Sequence, residues 1–269
     1  SVSHDCEILI PAEVVYFPFL PKTYQTRNCF AGGSNGLASG ATILEGVNHA
    51  LYELIERGYW SHFDLGLLDV RALYEHEIPH LDVAHYYNST NKEFEIQLFS
   101  LRMPWIKANL PMILCMLVGR GTVRFGAGCA ADVDTAIHRA LSEAMQAVAV
   151  QISGSREDMH RKKSATPKKE TKTVPLSERL PGERTLRIKD LRKEMKVPVF
   201  RTLQDEYRYL KRWLSEAGCP EIFIANLTRI GIDIPIVKVV TPGVPWHSPS
   251  SDPRSFEHMI GRMYQCAQA

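Results

Sequence analysis

Acidic side chains recur at helical spacing between residues 45 and 56. Glu45, His49, Glu53 and Glu56 follow one another at intervals of four, four and three residues, so their side chains share one face of a helix. Like charges at this spacing repel one another, and a hard divalent cation such as Mg2+, bound through carboxylates and substrate phosphates, would relieve the repulsion. A solvated helix face is the alternative interpretation, because runs of charge usually lie at the surface.

The stretch that precedes this acidic face suits phosphate binding. It reads Ser34-Asn35-Gly36-Leu37-Ala38-Ser39-Gly40 and opens the predicted helix. Its small residues leave the backbone N–H groups free to orient, and a helix N terminus carries partial positive charge. The loop therefore favours a phosphate-bearing ligand beside the acidic face.

Two predicted helices must position these side chains. The first runs from Ala41 to Gly58, and its apolar positions gather on one side: Leu44, Val47, Leu51, Leu54 and Ile55. The second begins behind an Asp132 cap, and its apolar positions also recur at helical spacing: Ala136, Ile137, Ala140, Leu141, Ala144 and Val148. Another face of the second helix carries Arg139, Glu143 and Gln146, although an ordinary intrahelical Arg139–Glu143 ion pair would explain the first two without a ligand.

The remaining elements are mostly strands. Strands are predicted within Cys6–Phe19, where Pro11 breaks the run, and at Phe94–Leu101 and Pro111–Val118. The last of these is apolar on both faces and should be central in a covered sheet. A glycine turn is predicted at residues 126–128 and a further helix at residues 202–217.

Two segments carry patterns that we interpret as loops. The motif His76-Glu77-Ile78-Pro79-His80 matches the zinc-protease pattern H-E-x-x-H, but Pro79 would break the helix on which that chemistry depends. Residues 156–185 begin with a run of basic residues that has few apolar side chains, so we expect a mobile loop there.

Composition limits the classes of function. The chain has 269 residues, 45% of them apolar, and a net charge of +2, so it can bury a core and shows no basic excess that would call for nucleic acid. No apolar run reaches the roughly 20 residues that a membrane span needs, so no membrane association is expected. The six cysteines are scattered without a Cys-x-x-Cys pair, which favours a reducing, cytoplasmic setting.

Several blocks, taken in order, resemble the YcaO family of ATP-dependent proteins that modify peptide backbones. Family domains carry S-N-G-x-A-x-G-N-T and a helix with E-x-x-E-R, matched here by the loop at residues 34–40 and by Glu53-Leu54-Ile55-Glu56-Arg57. They next carry a helix A-x-x-R-A-x-x-E-x-x-Q, matched by residues 136–146, and then a cluster of small, arginine and acidic residues, matched by residues 153–158. A late pair of strands closing on Pro-Gly is matched at residues 226–243.

The resemblance implies a fold, an activity and a set of roles. The fold would be α+β, a single YcaO-like domain over residues 1–269 with a mixed or antiparallel sheet packed against helices. The activity would be ATP- and Mg2+-dependent O-phosphorylation of a peptide backbone amide, leading to azoline or thioamide products. The implied metal ligands are Glu53 and Glu56. The implied nucleotide-binding residues are Ser34, Asn35, Gly36, Glu45, Arg57, Arg139, Glu143 and Gln146.

The sequence also departs from the family pattern. Gly40-Ala41-Thr42 replaces Gly-Asn-Thr, so one polar contact to the nucleotide is lost. Family domains also have an earlier helix with its own E-x-x-E-R, and this chain begins downstream of it. We therefore expect an N-terminally incomplete domain: a fragment, a chain completed by another polypeptide, or a protein that no longer turns over ATP.

The implied partners follow from the same resemblance. They are a peptide or protein substrate, a second polypeptide that supplies the missing half-site, or a sulfur-delivery partner, with a homodimer left open. The alternative function is a catalytically inactive YcaO-like subunit that binds peptide or nucleotide and supports another chain.

Overall fold

The computed structural model describes residues 7–19, 33–74, 94–108, 110–119, 121–153, 180–181 and 183–244. Within them the chain forms two compact units, the first built from residues up to Gly58 and from Phe200 onward, the second from residues 59–199. A single domain over residues 1–269 stays a prediction. The H-E-x-x-H motif at residues 76–80 lies outside the described residues.

The elements alternate between helices and strands along the chain. The helices are α1 (Ala12–Val15), α2 (Ile43–Asp64), α3 (Val133–Ser153), α4 (Ile188–Glu194) and α5 (Leu203–Glu216). The strands are β1 (Leu37–Ser39), β2 (Asp69–Leu73), β3 (Glu95–Arg102), β4 (Met112–Gly119), β5 (Thr122–Cys129), β6 (Arg184–Leu186), β7 (Phe223–Asn226) and β8 (Ile236–Val240).

The first unit contains a three-stranded antiparallel sheet in the order β1-β8-β7. Strand β8 lies at the centre, so Lys238 is paired with Leu37 on one side and with Ala225 on the other. Sheet and helix approach closely where α2 begins, because a Cβ on Gly46 would lie 3.2 Å from Cγ2 of Val237. The sheet therefore packs directly against the first turns of α2.

Helix α2 confirms the predicted amphipathic face and extends beyond its predicted end. Leu51, Leu54 and Ile55 are fully buried, as the helical wheel requires. The helix passes through Gly58 and ends at Asp64 because Tyr59 and Phe63 continue the four-residue apolar repeat and are both buried. Their burial outweighs the cost of about 1 kcal/mol that glycine carries inside a helix.

A polar cluster joins α2 to the start of α5. Helix α5 confirms the helix predicted at residues 202–217. The Asn48 amide donates to the Leu203 carbonyl at 2.9 Å and to the Glu206 carboxylate at 3.0 Å. The Tyr52 hydroxyl donates to the other oxygen of Glu206 at 2.8 Å. Thr202 caps the helix by accepting from the Asp205 N–H. Helix α2 is thus tied to α5 by three hydrogen bonds, two of which are accepted by the Glu206 carboxylate.

The second unit contains a five-stranded sheet in the order β5-β4-β3-β2-β6, antiparallel except for the parallel pair β2 and β6. The predicted mixed sheet packed against helices is confirmed. Strand β4 is buried from Met112 to Leu117, which confirms its predicted central position. Helix α3 begins where predicted, and Asp132 caps it by accepting from the Thr135 N–H at 2.8 Å.

Helix α3 lies directly on β5. A Cβ on Gly126 would come within 2.2 Å of the Ala140 carbonyl oxygen, and one on Gly128 within 2.1 Å of the Ala136 carbonyl oxygen. Both contacts are impossible for any larger residue, so these glycines set the distance between strand and helix.

Three sequence predictions of secondary structure are corrected. Within the described part of Cys6–Phe19 there is the short helix α1 in place of strands, because Pro11 fits the start of a helix and α1 buries Val14 and Val15. Residues 126–128 continue β5 and form no turn, because α3 packs against them. In the predicted loop at residues 156–185, the end belongs to β6, which is held by the buried Leu186. Most of that loop lies outside the described residues.

Candidate functional site

The loop from Gly33 to Gly36 turns sharply before β1. The Leu37 N–H donates to the Ser34 carbonyl at 2.8 Å, which closes the turn. Gly36 has a φ of 77°, and a Cβ there would lie 2.3 Å from the Val239 carbonyl oxygen. Only glycine satisfies both constraints, so the structure explains the glycine of the Ser-Asn-Gly motif.

Glu53 faces this loop. Its Oε2 accepts a hydrogen bond from the Gly36 N–H at 3.0 Å, and the residue is half-buried. Charge-assisted bonds of this kind are about twice as strong as neutral ones. The carboxylate predicted to bind metal is therefore directed towards the loop predicted to bind phosphate.

Lys238 holds the same loop through its backbone carbonyls. Its Nζ donates to the Gly33 and Asn35 carbonyl oxygens, each at 2.7 Å, and the residue has 0% exposure. Among the described residues it is the only buried lysine or arginine. Burial lowers the pKa of Lys238, and the nearby carboxylate of Glu53 partly offsets this effect.

Sequence reasoning did not assign Lys238 to the site. The pattern that could have indicated it is a single cation in the apolar run Ile236-Val237-Lys238-Val239-Val240. Burying an ammonium group without a hydrogen-bond acceptor would cost too much free energy. Such a lysine must find acceptors, but the sequence does not show which ones.

Glu56 and Arg57 lie at the end of the acidic face. An Arg57 guanidinium nitrogen is 3.3 Å from a Glu56 carboxylate oxygen, and the exposures of the two side chains are 33% for Arg57 and 13% for Glu56. The Glu56 carboxylate is thus mostly withdrawn from bulk water beside a cation, unlike the carboxylate of a solvated helix face.

The predicted acidic stripe divides into two parts. Glu45 and His49 are exposed, whereas Glu53 and Glu56 are not. Glu45 completes a cap at the start of α2: its N–H donates to the Thr42 hydroxyl at 3.2 Å and its carboxylate accepts from the Ala41 N–H at 2.7 Å. The structure thus gives Glu45 a structural role, and its contact with nucleotide stays a prediction.

In the second unit, Arg139 and Glu143 bind the backbone of β5. Arg139 donates to the Cys129 carbonyl at 2.8 Å, and Oε2 of Glu143 accepts from the Ala127 N–H at 2.6 Å. Gln146 is exposed. Ligand contacts of these three residues stay predictions.

Glu53 and Glu143 occupy equivalent positions in a repeated pattern. Residues 49–53 read His-Ala-Leu-Tyr-Glu and residues 139–143 read Arg-Ala-Leu-Ser-Glu. In each case the glutamate accepts an N–H from chain that precedes its own helix, 17 residues earlier for Glu53 and 16 for Glu143. A hydrogen bond from a helix glutamate to the backbone of the preceding segment therefore occurs twice in the chain.

The acidic residues would provide only part of the predicted metal site. Across the described ranges, His, Cys, Asp and Glu side chains nowhere form a group of three or more that could hold a metal ion. Mg2+ usually takes one or two carboxylates and completes its shell with phosphate oxygens and water. Glu53 and Glu56 fit that limited demand, but they do not form a metal cage made of protein alone.

The thiols of the described residues are structural. Cys115, Cys129 and Cys219 are buried and form no disulfide. Burial raises the pKa of the Cys115 thiol far above its usual range, so it stays protonated and unreactive. In the part of the chain that the structure describes, no helix has both the length and the apolar character needed to cross a membrane.

Comparison with known families decides the class of the protein. The family model described as YcaO cyclodehydratase, ATP- and Mg2+-binding, matches residues 1–244. The chain belongs to the YcaO family. The predicted cofactors, ATP and Mg2+, are those of this family.

Individual YcaO relatives are distant. An uncharacterised protein of Methanothermobacter thermautotrophicus is 27% identical over 257 residues, which cover 91% of this chain and 63% of the relative. YcaO from Methanopyrus kandleri, solved with AMPPCP and Mg2+, is similar with a TM-score of 0.68 and 22% identity, covering 91% of this chain and 62% of that one. A heterocyclase solved with substrate and cofactor has a TM-score of 0.63 and 20% identity, covering 87% and 31%. The chain thus spans less than two thirds of these relatives, and the structures confirm the YcaO fold.

Proposed function

We propose that this YcaO chain takes part in ATP- and Mg2+-dependent activation of a peptide backbone amide. The γ-phosphoryl group of ATP would pass to the amide oxygen, which then leaves as phosphate. Attack by a neighbouring Cys, Ser or Thr side chain would give an azoline, and attack by an external sulfide would give a thioamide. The modification of ribosomally made peptides is the proposed setting.

One observation supports this proposal above the others: the Glu53 carboxylate bonds the Gly36 N–H of the small-residue loop. The bond places a predicted metal ligand against the loop predicted to bind phosphate, and a metal–nucleotide site would bring these two features together. A solvated acidic face would leave Glu53 in bulk water, away from the backbone of the loop.

The proposed roles within the first unit follow from position and charge. Glu53 and Glu56 would hold Mg2+, which when bound supplies positive charge to the phosphoryl oxygens. Arg57 lies next to Glu56 and would bind phosphate oxygens. Ser34, Asn35 and Gly36 would shape the entrance. In the second unit, Arg139, Glu143 and Gln146 are proposed for nucleotide contacts on the family resemblance.

Partners are proposed on the same basis. A peptide or protein is the proposed substrate, and a second polypeptide would complete the metal site or deliver sulfur. The buried cysteines of the described residues, which form no disulfide, fit a reducing compartment, and we propose the cytoplasm.

Binding of AMPPCP, measured by calorimetry with and without Mg2+, tests the proposal. Glu53→Gln keeps an oxygen that can accept from the Gly36 N–H but removes the charge, so loop geometry and metal binding are separated. We expect Glu53→Gln and Glu56→Gln to weaken Mg2+-dependent binding at least about tenfold. Glu183→Gln is the matched control, because Glu183 is exposed. Binding by both site variants at wild-type strength would contradict the proposal.

A second candidate function is an inactive YcaO subunit that binds nucleotide or peptide for another chain. Ala41 supports it, because family domains carry an asparagine at this position that would give one more polar contact to the nucleotide. Steady-state ATP hydrolysis with peptide and Mg2+ separates the two functions. Binding of AMPPCP without any turnover of ATP would assign the chain to the supporting role.

A further inference from the structure

Lys238 contacts the candidate nucleotide loop from inside the protein. We infer that Lys238 is a positioning residue that holds the loop Gly33–Gly36 in its phosphate-binding conformation before any ligand arrives, an assignment that rests on the proposed function. It acts through the backbone of the loop and needs no contact with nucleotide.

The ammonium group of Lys238 binds the loop directly. Its two hydrogen bonds of 2.7 Å reach the carbonyls of Gly33 and Asn35, which flank Ser34. Bonds from a charged donor are strong, and losing two of them would be costly for a lysine with no exposure to solvent. The conformation of the loop and the burial of Lys238 therefore depend on the same two hydrogen bonds.

The two carbonyls fix the directions of two N–H groups. The Gly33–Ser34 and Asn35–Gly36 peptide bonds are trans, so each N–H points opposite to the carbonyl of the same planar unit. The N–H of Ser34 is therefore directed away from the buried ammonium, and Ser34 itself is exposed. The N–H of Gly36 is directed to the Glu53 carboxylate.

Strand pairing fixes the lysine itself. Lys238 lies in the central strand β8, opposite Leu37 of β1, and the Val239 N–H donates to the Gly36 carbonyl at 2.8 Å. The backbone of β8 thus holds one end of the loop while the side chain of Lys238 holds the other. Three of the four carbonyls of the loop, those of residues 33, 35 and 36, are thus bound by the neighbouring residues Lys238 and Val239.

Charge completes the arrangement. Glu53 lies close enough to Lys238 to favour its charged form. The positive charge under the loop offsets the negative charge of Glu53, so an incoming phosphate meets less repulsion than it would from the Glu53 carboxylate without Lys238. The positioning residue thus also balances the proposed metal ligand.

Hydrogen–deuterium exchange on the nucleotide-free chain tests the inference without activity. Lys238→Met removes the donors at similar length, and we expect amides of residues 33–40 to exchange at least about tenfold faster than in the wild type. Lys238→Arg keeps a charged donor and should restore part of the protection. Lys196→Met, at an exposed lysine, should leave exchange unchanged. The affinity for AMPPCP with Mg2+ should fall and recover in the same order.

The outcomes separate this inference from the proposed function. A folded Lys238→Met chain that keeps wild-type exchange at residues 33–40 and wild-type affinity overturns the inference alone. A wild-type chain that does not bind AMPPCP with Mg2+ overturns the proposed function. If Lys238→Met does not fold, the wild type decides: amides of residues 33–40 that become protected only after AMPPCP is added overturn the inference, because the ligand would then organise the loop.

Discussion

Glu53 accepts a hydrogen bond from the Gly36 N–H at 3.0 Å, which joins the acidic face of α2 to the loop that precedes β1. The bond connects two features that the sequence presents separately, a run of carboxylates and a run of small residues. Glu53 and Glu45 belong to the same acidic run but have different partners: Glu53 bonds the loop, whereas Glu45 caps the start of α2.

Removing the Glu53 carboxylate should destabilise the first unit by an amount that depends on the replacement. Glu53→Ala leaves the Gly36 N–H without its acceptor and should cost about 1–3 kcal/mol of unfolding free energy. Glu53→Gln keeps an acceptor and should cost less. Urea denaturation of both variants measures the difference, and wild-type stability of Glu53→Ala would show that the bond contributes no stability.

Gly36→Ala should be more harmful than an ordinary glycine substitution at positive φ. Gly231 has a φ of 85° and open space around its Cα, so Gly231→Ala should cost only the left-handed penalty of about 1–2 kcal/mol. Gly36→Ala adds a collision with the Val239 carbonyl, which should raise the cost by about 1–3 kcal/mol. Thermal unfolding of the two variants side by side tests this order.

Gly128→Ala should disrupt the packing of α3 on β5. The added methyl would meet the Ala136 carbonyl at 2.1 Å, so helix and strand must separate, at a cost of about 1–3 kcal/mol or more. Gly33→Ala is the control, because a Cβ there has no atom within 4 Å and Gly33 is not at positive φ. Near-UV circular dichroism and denaturation should change for Gly128→Ala only.

The Arg71–Glu194 pair should make a small, pH-dependent contribution to stability. The hydrogen bond from Arg71 lowers the pKa of Glu194 below its ordinary 4.5, so the stabilisation is present above pH 4.5 and is lost as the pH falls through the lowered pKa. Because both side chains are partly exposed, about 0.5 kcal/mol is expected at neutral pH.

Unfolding of the wild type and Glu194→Gln, compared from pH 7 down to pH 3, measures this contribution. The difference between them should shrink with acid and with added salt. A difference that stays constant across this range would show that the ion pair is not its origin.

The sequence pattern predicted those structural features that depend on residues close together in the chain. The buried side of α2, the Asp132 cap and the doubly covered β4 all follow from residues a few positions apart. Helix α2 continues past its predicted end at Gly58 to Asp64, because Tyr59 and Phe63 continue the apolar repeat and are buried.

Contacts between distant residues explain what the sequence could not predict. Gly126 and Gly128 look like turn residues until α3 is placed against them, and the strand then needs them for close approach. Lys238 reads as an anomaly in an apolar strand until its acceptors are known. Those acceptors lie on a loop whose sequence carries no charge.

The hydrogen bonds from Lys238 to the loop have a consequence for the synthesis of the chain. Lys238 and Gly33 are separated by 205 residues, so the loop cannot take its final form during synthesis until residue 238 has left the ribosome. A nascent chain that already contains Glu53, Glu56 and the loop but ends before residue 238 lacks the lysine that holds the loop. If Lys238 positions the loop as inferred, such an unfinished polypeptide would not capture nucleotide.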